Sequence, residues 1–176
     1  MDTAKPAGNR LITPRAAVLA CLFLLATYGT VPWGALWLRH ALGIAPWPPM
    51  PWRLLGVPLL LAGLTAGASC AGLFLFSGRG TPVPYDPPAK LVITGLYAYC
   101  RNPMVASQLI ALMGLGIAIG AWTMAPVVGV LAFVAHLYHR RVEERHLEAR
   151  FGPQYEHYRS HVPMWLPRLK PYRPPT

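Results

Sequence analysis

The sequence predicts an all-helical integral membrane protein with about four transmembrane helices, a C-terminal helical hairpin and a cytoplasmic C-terminal extension. Of its 176 residues, 54% are hydrophobic and only 12% are charged, whereas about 25% of a soluble domain is charged. Lys, Arg, Asp and Glu are missing from three long stretches, residues 16–38, 54–78 and 102–139. Since about 20 apolar residues cross a bilayer core as a helix, each stretch can span a membrane. The length of the chain, residues 1–176, fits a single domain.

The first predicted span covers roughly residues 16–38 and contains Pro32, which should kink the helix. Its apolar run is longer than that of a signal peptide and no A-x-A cleavage site follows it, so we expect a retained anchor. Residues 39–53 then contain four prolines and two tryptophans. The prolines exclude a regular helix there, and the tryptophans are typical of a membrane interface.

The second predicted span covers roughly residues 54–76. It contains Gly63 and Gly67, and small residues four positions apart allow a second helix to approach closely. A loop rich in Gly and Pro follows at residues 77–94. Loops of this length are usually either functional or disordered.

The third charge-free stretch, residues 102–139, is nearly twice as long as one span needs. It therefore predicts a hairpin of two membrane helices, roughly residues 103–120 and 124–140, with a turn near residues 120–123. Asn102 suits the N-cap of the first of these helices, and the ring of Pro103 suits its first turn.

Beyond the hairpin, the second helix is expected to continue unbroken out of the membrane to about Arg150. A short amphipathic helix around residues 153–160 could then lie on the membrane interface. The whole motif-bearing part of the chain runs from residue 79 to residue 168.

The distribution of charge argues against a nucleic-acid partner, although the formal net charge is +10. With four spans, 14 of the 16 Lys and Arg residues lie on the side of both termini, and only Arg39 and Arg53 lie on the other. The positive-inside rule then places the N- and C-termini in the cytoplasm, as in a bacterial inner-membrane protein. Anionic membrane lipids are the expected partners of the basic residues.

Neither a disulfide nor a metal site is indicated. The three cysteines, Cys21, Cys70 and Cys100, are odd in number and lack CxxC spacing. His136 and His139 are three residues apart on a predicted helix, but no third ligand is evident near them, so we expect no metal ion.

Two polar segments flank the hairpin and hold the candidate site. In the first, residues 95–104, Arg101 stands beside a helix N-terminus and could attract a carboxylate or phosphate. Taken alone, it is better explained as an ordinary interfacial arginine that extends to the lipid headgroups beside a routine helix start. The tyrosines of the two segments could form an aromatic belt, a ligand cage or both, and they are Tyr97, Tyr99, Tyr155 and Tyr158.

The second polar segment, residues 140–158, begins with an arginine and two adjacent glutamates. Arg140 and Glu144 are four residues apart and could form an exposed ion pair. Glu143 points about 100° away from Glu144 on a helix and could face a ligand. Spacing alone leaves the functional and the purely structural interpretation equally open.

Taken together and in order, the two segments resemble the isoprenylcysteine carboxyl methyltransferase family, which belongs with the phospholipid N-methyltransferases in one membrane superfamily. The resemblance covers about half of the chain, residues 79–168. It is carried by Gly95, Tyr97, Tyr99, Arg101, Asn102, Pro103 and Met104, and then by Glu143, Glu144, Leu147, Phe151, Gly152, Tyr155, Tyr158, Val162 and Pro163. The carboxyl methyltransferases usually carry Arg-His-Pro with an aromatic residue two positions after the proline, whereas this chain has Arg101-Asn102-Pro103 and Val105. The Asn-Pro-Met sequence is more similar to that of the phospholipid enzymes.

The resemblance implies methyl transfer from S-adenosylmethionine to a lipophilic or small acceptor at the cytoplasmic membrane face. The acceptor is left open among a carboxylate, a thiol and an amine, and only an amine would need a base. Arg140 and Glu143 are the implied catalytic residues, although either Glu143 or Glu144 matches the acidic cofactor contact of the family, and the sequence does not assign the two glutamates. The implied cofactor residues are Ala89, Lys90, Leu91, Val92, Tyr97, Arg101, Asn102, Pro103, Met104, Val105 and Glu144.

Two other functions are compatible with the same segments. The C-terminal half is similar to that of the membrane sterol reductases, although the N-terminal half is short for such an enzyme. The chain could also be a non-catalytic membrane component that keeps the two polar segments for packing. The sequence indicates no particular oligomeric state.

Overall fold

The computed structural model describes residue 18, residues 22–76 and residues 90–174. All regular structure in these ranges is helical, which confirms the all-helical prediction for this part of the chain. Six α-helices are numbered in chain order: α1 (Val31–Ala41), α2 (Gly56–Phe76), α3 (Pro103–Ala118), α4 (Met124–Tyr138), α5 (Glu144–Phe151) and α6 (Pro153–His161). Cys21, Ala89 and most of the 77–94 loop lie outside the described residues.

Helix α1 is preceded by a π-helical turn, Ala26–Thr30, that runs directly into Pro32. The missing N–H of Pro32 interrupts the helical hydrogen bonds there, and a π-helical turn is a common response to such an interruption. The helix ends at Ala41, three residues beyond the predicted limit of 38. It continues because Arg39 is buried and donates a hydrogen bond to the backbone carbonyl of Gly120 at 3.1 Å, instead of entering water.

Helix α2 continues a short 3-10 turn, Trp52–Leu55. Together they contain a 23-residue segment, Trp52–Phe74, that is long and apolar enough to cross a membrane. No other helix in the described ranges passes the same test of length and composition, although α3 is a shorter apolar helix. The structure therefore contains one clear candidate membrane helix.

Helices α2 and α3 lie so close together that side chains are excluded between them. A Cβ atom on Gly63 would lie 2.5 Å from the backbone nitrogen of Ala111 and 2.6 Å from the carbonyl oxygen of Ser107. On α3, a Cβ atom on Gly114 would lie 2.8 Å from the carbonyl oxygen of Gly56. The Gly63–Gly67 spacing thus predicts the packed face correctly.

Helix α3 is the central helix of the described part, with contacts to α1, α2 and α4. Its Leu112 is 1% exposed and packs with Ala35 of α1 and with Met124 and Val128 of α4. The α3–α4 turn is closed by Gly120, whose φ of +66° favours glycine.

Helices α4 and α5 form one continuous helical path that ends at Phe151, close to the predicted Arg150. The path is not uniformly α-helical, because His139–Glu143 forms a π-helical turn. Gly152, with φ of +52°, then reverses the chain into α6. The π-helical turn at His139–Glu143 lies at the start of the second polar segment.

Candidate functional site

The first polar segment folds into a compact turn under the end of α2. Gly95 has φ of +59° and begins a 3-10 turn, Gly95–Ala98. A Cβ atom on Gly95 would lie 2.6 Å from Cδ1 of Leu73, so only glycine fits both the backbone and the space. The turn buries Tyr97, whose ring meets that of Phe74 edge to face at 5.5 Å.

Helix α6 packs against the outer side of this turn. Its two tyrosines, Tyr155 and Tyr158, are three residues apart on one face and are 2% and 3% exposed. The Tyr158 hydroxyl donates a 2.7 Å hydrogen bond to the carbonyl of Tyr97. Both tyrosines therefore belong to a core cluster, and neither lies in an aromatic belt.

The C-terminal tail completes the enclosure by backbone pairing. The amides of Arg101 and Asn102 donate to the carbonyls of Pro163 and Met164 at 2.9 and 3.2 Å. Further along, the amide of Tyr172 donates to the carbonyl of Ala98 at 2.8 Å. The backbone that precedes α3 is thus held by residues more than 60 positions later in the sequence.

The two polar segments meet through an ion pair between Arg101 and Glu144. Nη1 of Arg101 contacts Oε1 of Glu144, and both side chains are largely buried, at 14% and 12% exposure. The second carboxylate oxygen of Glu144 lies 3.6 Å from Nη1 of Arg159, which also contacts Glu148. Glu144 therefore lies between two arginines from different parts of the chain.

The predicted Arg140–Glu144 pair is not formed, and Arg140 is exposed. A π-helical turn at His139–Glu143 directly precedes Glu144, and Glu144 faces Arg101 instead. Across the same turn, His139 and Glu143 remain in contact four positions apart. π-helical turns inside α-helices occur often at functional sites.

A second polar group lies next to this pair. Glu143 contacts Nδ1 of His139, whose ring is buried. Trp165 in the tail donates from its indole nitrogen to Nδ1 of His136 at 3.0 Å, and its ring lies 5.9 Å from that of His139. Nδ1 of His136 thus accepts a hydrogen bond, whereas Nδ1 of His139 contacts Glu143 without forming a regular hydrogen bond. No group of three or more potential metal ligands occurs in the ranges that the structure covers.

Burial controls the ionisation of the tyrosines around the site. It raises the pKa of Tyr97, Tyr155 and Tyr158 above the ordinary value of 10.0. The negative charge of Glu143 adds to the rise in pKa at Tyr97, and a hydrogen bond with Arg101 opposes it at Tyr155. All three phenols are therefore neutral at physiological pH.

The remaining predicted site residues fall into two groups. Lys90 is exposed, and Leu91, Asn102, Met104 and Val105 are partly exposed near the start of α3. Val92, Tyr97 and Pro103 are buried, and the first two pack with Cys70, which favours a packing role for their side chains. Asn102 occupies the N-cap of α3, but its side chain makes no capping hydrogen bond.

Three residues of the site were missed by reasoning from the sequence. Arg159 contacts Glu144, Trp165 bonds to His136, and Tyr172 packs against Tyr158 with ring centroids 5.5 Å apart. Arg159 lies on α6, and Trp165 and Tyr172 lie in the tail. The aromatic and basic residues of α6 and the tail carry no spacing that distinguishes them from interfacial residues, and only the folding back of α6 and the tail brings them to the site.

The arrangement suits a ligand that carries both a positive and a negative charge. Arg101 offers a guanidinium whose Nε is buried and has no hydrogen-bond partner among the described residues. The neighbouring N-terminus of α3 is not capped by Asn102, so its first N–H groups remain donors for an anion. Glu144 offers a carboxylate beside them for a cation.

Comparison with known proteins gives one family match and two relatives. A family model described as phospholipid methyltransferase matches residues 53–154, which include Arg101 and Glu144. The chain is 29% identical to the nickel-cobalt-cadmium resistance protein NccN of Alcaligenes xylosoxydans xylosoxydans, over 90% of this chain and 65% of that protein. It is 28% identical to the cobalt-zinc-cadmium resistance protein CzcN of Cupriavidus metallidurans, over 86% of this chain and 62% of that protein.

The chain thus spans less than two thirds of the length of both relatives. No solved structure matches it. The family match covers 102 of the 176 residues (53 to 154), more than half of the chain, and it contains α2, α3, α4 and both ends of the ion pair that joins the polar segments. By this match the chain belongs to the phospholipid methyltransferase family, within the membrane methyltransferase superfamily that its two polar segments resemble.

Proposed function

We propose that this protein transfers a methyl group from S-adenosylmethionine to a lipophilic or small acceptor at one face of the membrane. The observation that carries the proposal is the Arg101–Glu144 ion pair, which joins two segments 43 residues apart in the sequence. Family membership supports the class of reaction, and the ion pair supports a site between the two polar segments.

The residues around the pair fit the amino-acid end of S-adenosylmethionine. Arg101 and the uncapped N-terminus of α3 would hold its carboxylate, and Glu144 would hold its ammonium group. When bound, this cofactor supplies a methyl group on a positively charged sulfur. The residues of the chain would then orient the cofactor and the acceptor and exclude water from the site. Orientation alone can lower the activation barrier of a reaction by about 7–11 kcal/mol.

Glu143 is the proposed base. Its side chain is 39% exposed and contacts His139. An amine acceptor would have to lose a proton before or during methyl transfer, and the Glu143 carboxylate is placed one residue from the cofactor glutamate to accept it. A carboxylate or thiolate acceptor would need no such step. Arg140, exposed in the same π-helical turn, is proposed to bind a negatively charged group of the acceptor.

The membrane arrangement is part of the proposal. We place four spans in the bilayer, with the candidate site at the cytoplasmic end of α4. Large apolar side chains are 40% or more exposed on the outer faces of α1, α2 and α4, for example Trp33 at 70%, Leu61 at 55% and Phe133 at 62%. Such a surface is unfavourable in water and suits lipid. A lipophilic acceptor could then reach the site from within the bilayer.

The test is binding of S-adenosylhomocysteine to the detergent-purified protein, measured by calorimetry. Two variants on the same helix, Glu144→Gln and Glu148→Gln, each remove one carboxylate that contacts Arg159, but only Glu144 also contacts Arg101. We expect Glu144→Gln to weaken binding by about tenfold or more, the loss of about 1.4 kcal/mol or more. Glu148→Gln should bind within about twofold of wild type, a difference below about 0.5 kcal/mol.

Folding of each variant is checked by its thermal unfolding temperature and elution volume. Equal binding by folded Glu144→Gln and wild type would contradict the proposed pocket. Absence of binding by folded wild-type protein, together with saturable binding of a nicotinamide cofactor, would favour the reductase alternative. Cofactor binding without methylation of any acceptor class tested would favour the non-catalytic alternative.

A further inference from the structure

Two arginines converge at the end of the helical bundle opposite the candidate site. Arg39, 8% exposed, donates from Nη1 to the carbonyl of Gly120. Arg53 donates from Nε to the carbonyl of Pro48 at 2.8 Å, and its guanidinium lies over the same glycine. A Cβ atom on Gly120 would lie 2.7 Å from Cζ of Arg53 and 3.0 Å from its Nη2. We call Arg39, Arg53 and Gly120 the Gly120 cluster.

No carboxylate among the described residues lies near these two charges. The six acidic residues are at positions 2, 86, 143, 144, 148 and 156, and every one that the structure describes lies at the other end of the bundle. The backbone carbonyls satisfy one N–H of each guanidinium, out of the five that each carries. The remaining polar neighbour of Arg39 is His40, whose Nε2 lies 3.1 Å from Nη2.

The burial of Arg39 makes the imbalance costly. Its Nε is buried and has no hydrogen-bond partner among the described residues. A buried cation without a counter-ion is strongly unfavourable, and proteins normally pair such a group with an anion. The partial negative charges at the C-terminal ends of α1 and α3 offset only part of this charge.

Tryptophans indicate the depth of the cluster in the membrane. Trp37, Trp47, Trp52 and Trp122 surround this end of the bundle and are 61%, 63%, 61% and 44% exposed. Exposed tryptophans are enriched at the level of the lipid headgroups. The Gly120 cluster therefore lies at the depth where the phosphates of one leaflet lie.

We infer that the Gly120 cluster binds the phosphate group of an anionic phospholipid in the leaflet opposite the candidate active site. A phosphate oxygen supplies both the missing acceptor and the missing negative charge, and guanidinium groups match phosphate with paired hydrogen bonds. A lipid with net negative charge neutralises the cluster, whereas a zwitterionic lipid also brings a cation. The inference uses the membrane placement proposed above but does not depend on methyl transfer.

The test compares thermal unfolding of the full-length protein in nanodiscs of phosphatidylcholine alone and of phosphatidylcholine with phosphatidylglycerol. Arg53→Gln removes one cation of the cluster, and Lys170→Gln removes an exposed cation of the C-terminal tail as the matched control. We expect phosphatidylglycerol to raise the unfolding temperature of wild type and of Lys170→Gln. In Arg53→Gln at least half of that rise should be lost.

A second measurement needs no variant. Native mass spectrometry of the wild-type protein with an equal mixture of the two lipids should show phosphatidylglycerol retained in preference to phosphatidylcholine. An undiminished rise in a folded Arg53→Gln protein would overturn the inference, as would equal retention of both lipids. A third arm adds millimolar inorganic phosphate in phosphatidylcholine nanodiscs. Stabilisation there equal to that by phosphatidylglycerol would assign the cluster to free phosphate and overturn the lipid as its source.

Discussion

At the residue scale, Glu143 and Glu144 are neighbours with different environments. Glu144 is largely buried between Arg101 and Arg159, whereas Glu143 is 39% exposed and contacts His139. Breaking a buried ion pair by removing one partner costs about 3–5 kcal/mol, while exposed pairs contribute about 0–1 kcal/mol. This difference in environment supports the proposal that Glu144 holds a charged ligand and that Glu143 exchanges a proton.

A pH prediction follows from the buried tyrosines. Burial raises the pKa of Tyr158 in the folded protein above its ordinary value of 10.0. The phenol of the unfolded chain loses its proton near pH 10, while the folded protein keeps it, so the free energy of unfolding falls as pH rises above about 10. At neutral pH and below, the same group contributes its full stabilisation.

The variant Tyr158→Phe tests this. It should lower stability at neutral pH by about 1–3 kcal/mol, because the carbonyl of Tyr97 loses a buried hydrogen bond. Above pH 10 its stability should fall less steeply than that of wild type, by up to about 1.4 kcal/mol per pH unit. Tyr138→Phe, at an exposed phenol, is the control. Parallel alkaline curves for Tyr158→Phe and wild type would contradict the assignment.

At the element scale, two local features of the helices position the site. The π-helical turn at His139–Glu143 directly precedes Glu144, which contacts Arg101 of the first segment. The close approach of α2 and α3 places the start of α3 under the Gly95–Ala98 turn, where Met104 packs against Tyr97. The first feature is a π-helical turn within an α-helical path, and the second depends on glycines that leave no side chain between two helices. Both lie where distant parts of the chain come into contact.

The substitution Gly63→Ala tests the close approach. Its Cβ would lie 2.5 and 2.6 Å from backbone atoms of Ala111 and Ser107, which cannot move without separating the two helices. We expect a loss of about 1–3 kcal/mol from such overpacking. Gly129→Ala on α4 is the matched control, because a Cβ there meets nothing within 4 Å. That variant should be neutral or stabilised by up to about 1 kcal/mol.

Thermal unfolding of the two alanine variants in one detergent supplies the measurement. A fall of several degrees for Gly63→Ala with no fall for Gly129→Ala is the expected pattern. Equal unfolding temperatures for Gly63→Ala and wild type would mean that the helices separate at little cost and that the glycine is not needed for packing.

At the scale of the whole molecule, the two ends of the bundle differ in chemistry. One end carries the Arg101–Glu144 pair, the tail and all the described acidic residues. The other carries the tryptophans and the Gly120 cluster. This asymmetry matches the 14 to 2 distribution of basic residues that a four-span arrangement gives.

Cysteine labelling tests the orientation. Arg173→Cys lies in the tail and Ala45→Cys lies in the exposed loop at the opposite end. With a membrane-impermeant thiol reagent, Ala45→Cys should be labelled more strongly than the parent protein in intact cells. Arg173→Cys should be labelled more strongly than the parent protein only after the inner membrane is permeabilised. The reverse pattern would contradict cytoplasmic termini, and labelling of both in intact cells would contradict the number of spans.

Much of the fold was predictable because its determinants are local. The charge-free stretches set the lengths of the helices. The proline at the first turn of α3 sets where that helix starts, and the Gly63–Gly67 spacing allows close packing. The candidate site was predictable as two segments, since its motifs are contiguous in sequence. The pairing inside it was not, because Arg140 lies at helical spacing from Glu144, whereas Arg101 is 43 residues away.

The sequence by itself determined the helical class, the polar segments and the asymmetry of charge, since each follows from composition or from spacing within about one helix. Only the tertiary structure decided that Glu144 pairs with Arg101, that α6 and the tail supply Arg159 and Trp165, and that Arg39 and Arg53 meet at Gly120. The physical reason is that a one-residue change in helical register, such as the π-helical turn, redirects a side chain by about 100°. Which partner it then meets depends on how distant segments pack.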